Sequence, residues 1–94
     1  MSDFERIIAN VLMSILKELW TNSGNGNLSQ NVRFGDLYKY KITLTDNADF
    51  VLYKIIGPES DIEMMTVNDA TGKYSEAVDL ISRCIELDMS RMDG

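Results

Sequence analysis

The sequence predicts an α+β domain in two layers, ordered α-β-β-β-α, with a three-stranded antiparallel meander and the N- and C-terminal helices packed on one face. Three observations carry that expectation. Apolar residues recur at helical spacing at both ends of the chain, they alternate with polar residues through its middle, and Gly, Asn and Asp mark the joins. With 94 residues, 45% of them hydrophobic, the chain is long enough for one core and too short for two, so residues 1–94 read as a single domain.

The first helix is expected over residues 3–21. Ser2-Asp3-Phe4-Glu5 has the form of a capping box, and Phe4, Ile7, Ile8, Val11, Leu12, Ile15, Leu16, Leu19 and Trp20 then keep i, i+3, i+4 spacing. At 100° per residue these positions sweep an arc of about 220°, interrupted near its start by Glu5, whereas a surface helix needs a stripe of only about 100°. Such a helix must be covered on more than one side. The sheet and the second helix are one such cover; another chain meeting Met13, Leu16 and Trp20 is the alternative, since aromatic and Met side chains are enriched in interfaces.

Residues 22–31 form a polar, Asn- and Gly-rich stretch expected to be a flexible loop. Gly26 stands where a calcium-binding loop after a helix needs its glycine. Thr21, Ser23, Asn25 and Val32 occupy the ligand positions, however, and a hard cation finds no carboxylate there. The stretch also lacks the Gly-Lys-Ser/Thr ending of a phosphate-binding loop.

From Val32 the period becomes two, predicting a strand over 32–45. Val32, Phe34, Tyr38, Tyr40, Ile42 and Leu44 share one side, and Gly35-Asp36 suggests a bulge. Asp46-Asn47-Ala48-Asp49 has turn chemistry, residues 50–56 read as a buried second strand, and Gly57-Pro58 ends it. A weaker third strand is expected over 62–67. Asn68 to Gly72 then forms a turn, with Asp69 or Thr71 as the cap of a helix over 73–89. Tyr74, Ala77, Val78, Ile81, Cys84, Ile85 and Met89 make that helix's apolar stripe; Leu80 and Leu87 flank it, and Glu76, Asp79 and Glu86 face outward. Two helices on one side leave the other face of the sheet open, or covered by a partner.

Composition narrows the chemistry. A lone cysteine, Cys84, forms no intrachain disulfide, which suits a reducing, cytoplasmic interior. The acidic start Met1-Ser2-Asp3-Phe4-Glu5 is unlike an export signal, and no apolar run is long enough to span a membrane. Without histidine, and with one cysteine, only oxygen ligands remain for a metal, so no metal or other cofactor is expected. Cys84 has no histidine to activate it and lies on an apolar stripe, as an inert thiol would. Asp46/Asp49 and Glu59/Asp61/Glu63 fall in a turn and near an edge strand, not among apolar neighbours that would tune them for acid–base work. No catalytic set emerges, and the chain reads as a non-enzyme.

Charge is the remaining signal. Nine basic and fifteen acidic residues give −6, and the whole excess lies from Gly57 onward. The leading expectation is therefore a small acidic protein-interaction domain, of the kind phages and immunity systems use as inhibitors, that occupies a basic, nucleic-acid-binding surface of a partner enzyme. Glu76, Asp79, Leu80, Glu86 and Leu87, with Met13, Leu16 and Trp20, are its candidate contacts. The first alternative is a structural subunit that homo-oligomerises, as a dimer for example, through the first helix or the open sheet face. The second is a single-strand nucleic-acid binder using Arg33, Lys39, Lys41 and Lys54. Against it, Tyr38 and Tyr40 alternate with Lys39 and Lys41, so rings and cations point to opposite faces, and −6 repels phosphate.

Overall fold

A computed structural model describes residues 3–22, 28–68 and 74–93. Two helices and four strands follow in the order α1 (Asp3–Thr21), β1 (Leu28–Phe34), β2 (Tyr38–Leu44), β3 (Phe50–Gly57), β4 (Ser60–Val67) and α2 (Tyr74–Asp93). The strands form one antiparallel sheet in sequential order. The proposed capping residue Ser2, the loop positions Ser23 to Asn27, and the turn residues Asp69 to Lys73 lie outside the described residues.

The α+β class holds, but the sheet has four strands where the sequence suggests three. The expected strand 32–45 is a hairpin. Gly35 takes φ +78°, which only glycine adopts freely, and the chain reverses over residues 35–37 so that Phe34 pairs with Tyr38. A three-residue loop returns the chain on the same parity. Paired residues point to the same face, so Phe34 and Tyr38 continue one alternating pattern straight through the turn. β1 also reaches back into the expected flexible loop: Leu28 pairs with Leu44 and Gln30 with Ile42. As an edge strand it needs little apolar content, and its polar residues hid it. β4 begins at Ser60, before the expected Ile62, and α2 runs past the expected Met89.

Both helices lie on one face of the sheet, α1 over β1 and β2 and α2 over β4. Ile8, Leu12, Ile15, Leu16 and Leu19 of α1 meet Ala77, Val78, Ile81 and Ile85 of α2 in one core with Val32, Tyr40, Ile42, Leu44, Phe50, Leu52 and Val67. Most of the wide apolar arc of α1 is thereby covered by sheet and α2, with Phe4 and Ile7 at its start left exposed. At the β3–β4 pairing the register slips, leaving Met64 as an extra residue, so that Met64 and Met65 both pack against this core.

The second hairpin is closed by Thr45, whose N–H donates to the Asp49 carbonyl at 2.9 Å and whose Oγ1 accepts from the N–H groups of Asn47 and Asp49. Ala48 sits there at φ +64°, a left-handed conformation costly for a residue with a Cβ.

Among the described residues, no helix is long and apolar enough to cross a membrane.

Candidate functional site

The cleft between the N-terminal half of α1 and the middle of α2 is acidic. Glu5 and Ala9 line it from one side, and Asp79, Ser82, Arg83 and Glu86 from the other, around a space of about 350 Å³. Helical periodicity explains the grouping. Asp79, Ser82, Arg83 and Glu86 are spaced i, i+3, i+4, i+7 and share one flank of α2; Glu5 lies one turn before Ala9. Three carboxylates against one guanidinium leave the cleft net negative.

Two buried oxygens in this cleft have no hydrogen-bond partner among the described residues: Ser82 Oγ and Glu86 Oε1. Ser82 is 8% exposed, a polar side chain buried among the apolar ones of α2. Burial pushes the Glu86 carboxyl above the ordinary carboxylate range, the Glu5 charge pushes it further, and the Arg83 charge opposes them. A buried acceptor with no donor costs roughly 1–3 kcal/mol, so folding alone does not select this pair. Replacing Ser82 by Ala should accordingly stabilise the fold by about 1 kcal/mol, read as a raised midpoint in urea unfolding. A destabilised Ser82→Ala would show that the hydroxyl has a partner after all.

The candidate contacts from the sequence divide. Asp79 and Glu86 line the cleft, and Glu76 lies exposed on the first turn of α2. Leu80 and Leu87 are exposed, but Leu87 borders a different cleft on the far flank of α2, with Met64, Cys84, Asp88 and Arg91. Acids and leucines are thus not one ridge. Leu16 is fully buried in the core and leaves the candidate surface. Met13 and Trp20 are half-buried against the same core, and the Trp20 ring lies 6.3 Å from that of Phe50. What α1 leaves exposed is Phe4 and Ile7 instead.

Sequence reasoning missed Glu5 and Ser82 as members of this site. The signal for Glu5 was present: it interrupts the apolar arc of α1, on the side that turns out to face α2.

A second polar cluster lies under α2. Asp88 accepts from the Tyr40 hydroxyl at 2.7 Å through Oδ2 and from Lys54 Nζ at 2.9 Å through Oδ1, so both of its oxygens are used. Lys54 is therefore not one of the sheet's open-face cations. β3 directs Phe50, Leu52 and Lys54 toward the helices, and Lys54 is engaged there. Burial by itself would raise Asp88, but the hydrogen bonds from Lys54 and Tyr40, with the Lys54 and Arg91 charges, hold its carboxyl below the ordinary range. Burial first, then the bond to Asp88, drive the Tyr40 hydroxyl well above the usual tyrosine value. Cys84 is half-buried nearby, and burial followed by the Asp88 charge pushes its thiol up, away from the thiolate a nucleophile needs.

The far face of the sheet carries Arg33, Lys39 and Lys41 on β1 and β2, Val51, Tyr53 and Ile55 on β3, and Asp61 and Glu63 on β4. Lys41 Nζ sits 4.7 Å above the Tyr53 ring and bonds Asp61 at 2.9 Å. Among the described residues, no group of three or more His, Cys, Asp or Glu is placed to hold a metal ion.

Comparison with known proteins adds no relative to this geometry: no family model matches the chain, and neither a curated protein nor a solved structure matches it.

Proposed function

We propose that the protein is a non-enzymatic interaction domain whose acidic cleft between α1 and α2 receives a basic segment of a partner protein. The observation that carries this reading is the pair of buried oxygens, Ser82 Oγ and Glu86 Oε1, that have no hydrogen-bond partner among the described residues and lie beside Glu5 and Asp79. A lysine or arginine side chain supplies N–H donors for the two oxygens and adds positive charge where three carboxylates outnumber one guanidinium. Its long apolar stem suits Ala9 on the cleft wall. The net negative charge of the cleft also steers a basic partner toward it before contact. A partner whose basic segment normally binds nucleic acid would be blocked by such an occupant, which is the form an inhibitor takes.

An oligolysine peptide is the probe. Titrated into labelled protein, it should shift the amide resonances around Glu5 to Ala9 and Asp79 to Glu86, and leave those of β1 and β2 in place. Shifts centred on the sheet, or spread evenly over all acidic residues, would overturn the reading.

A further inference from the structure

We propose that the cleft between α1 and α2 selects a lysine ammonium over an arginine guanidinium. The selectivity presupposes that the cleft receives a basic segment, and it comes from how the acceptors are distributed. Ser82 is 8% exposed, and its Oγ, a single atom, has no hydrogen-bond partner among the described residues. Of the two oxygens of Glu86, Oε1 is the one buried without a partner. Ser82 and Glu86 are four residues apart on α2, so their side chains are neighbours across one turn, about 5–6 Å apart at Cβ. A third acceptor comes from the opposite wall. Glu5 of α1 lines the same space, near enough for its charge to raise the Glu86 carboxyl. A carboxylate offers about four lone-pair sites, so Glu5 can accept a further bond beside any it already holds.

The two basic side chains ask different things of such a site. A guanidinium holds its donors in one plane, as a rigid fork matched by both oxygens of one carboxylate. The two buried oxygens here belong to different residues. An ammonium is a compact charge with three N–H groups that point apart, and it can give one bond each to Ser82 Oγ, Glu86 Oε1 and the Glu5 carboxylate. Asp79 is exposed, so a fork bound to its carboxylate would leave both buried oxygens unmet.

The cleft's own guanidinium supports the distinction. Arg83 stands between Ser82 and Glu86 in the sequence and lines the same space, yet it donates to neither buried oxygen. Hydration works the other way, because a guanidinium is more weakly hydrated than an ammonium and loses less on entering. A buried acceptor left unmet costs more than that difference returns, and a preference of about tenfold for lysine is expected.

Pentalysine, penta-arginine and penta(trimethyl-lysine) test this on the full chain. They share length and side-chain charge, but the trimethylated side chain carries no N–H. Calorimetry at fixed ionic strength gives the affinities, and amide resonances give the place. Pentalysine should bind about tenfold tighter than either of the others, with shifts centred on Asp79 to Glu86. In Ser82→Ala, with circular dichroism unchanged, that advantage should shrink to a few-fold. Penta-arginine or the trimethylated peptide binding the cleft as tightly as pentalysine would overturn the selectivity and leave a general cation site. An advantage undiminished in Ser82→Ala would overturn it too. Shifts lying away from the cleft with all three peptides would instead overturn the reading of the cleft as a basic-segment site, and the selectivity with it.

Discussion

Asp88→Ala should destabilise the protein by about 3 kcal/mol, the largest loss expected from removing any charged side chain here. Its carboxylate takes hydrogen bonds from Tyr40, which is fully buried, and from Lys54, whose side chain is 21% exposed. Truncation leaves a buried hydroxyl without its Asp88 acceptor, costing roughly 1–3 kcal/mol, and takes from a mostly buried ammonium the carboxylate 2.9 Å away. Removing one member of a fully buried pair costs about 3–5 kcal/mol; partial exposure of Lys54 lets it turn toward water and trims the figure. Tyr40→Phe should cost only about 1 kcal/mol, because Asp88 then keeps Lys54. Urea unfolding checks the order, and equal losses for the two variants would show that the Lys54 pair contributes nothing.

The same network sets a pH limit. Asp88 has a carboxyl held below its ordinary range in the folded state. Its stabilising contribution is therefore complete above the unfolded value near 3.9 and is lost as pH falls through the lower folded value. Tyr40 has the opposite sign: its raised value favours the neutral folded form, so its contribution is complete below the ordinary tyrosine value and declines at alkaline pH. Acid unfolding of Asp88→Ala should be shallower than that of the wild type below about pH 4.

The second large effect concerns binding. Reversing Glu76, Asp79 and Glu86 to lysine should weaken oligolysine binding by about thirtyfold, or about 2 kcal/mol, as three attractive charges become repulsive. A control reversal of Glu18, Asp36 and Glu59, which lie outside the cleft, changes net charge by the same amount. It should weaken binding only a few-fold. Isothermal calorimetry at fixed ionic strength separates the two, and an equal loss in both variants would reduce the interaction to net charge.

How far the sequence discloses this molecule depends on the kind of signal. Helical spacing carries α1 and α2 because their cores are built from one continuous stripe each. The β1–β2 hairpin escapes because its three-residue loop preserves parity, so Val32 to Leu44 mimics one long strand. β1 before Val32 escapes because Ser29, Gln30 and Asn31 have no apolar alternation to show. Lys54 and Asp88 are legible in part: each is a charge at a core-facing position of an apolar element. That each answers the other depends on a contact across 34 residues, which no local pattern encodes. The cleft was half-legible for the same reason. Asp79 and Glu86 show as outer-face acids of α2, whereas Glu5 joins them only once the two helices pack together.

The central claim, that the cleft receives a basic group, comes down to the ionisation of Glu86. In the free protein its carboxyl is raised by burial and by Glu5, with Arg83 opposing; Asp79 lines the same cleft. A lysine ammonium entering beside it favours the charged form. Carbon-detected titration of the Glu86 side-chain carboxyl, with and without saturating oligolysine, measures this directly. The account predicts that the Glu86 value drops toward or below the ordinary carboxylate range on binding, with release of protons at mildly acidic pH. An unchanged Glu86 titration at saturating peptide would contradict it.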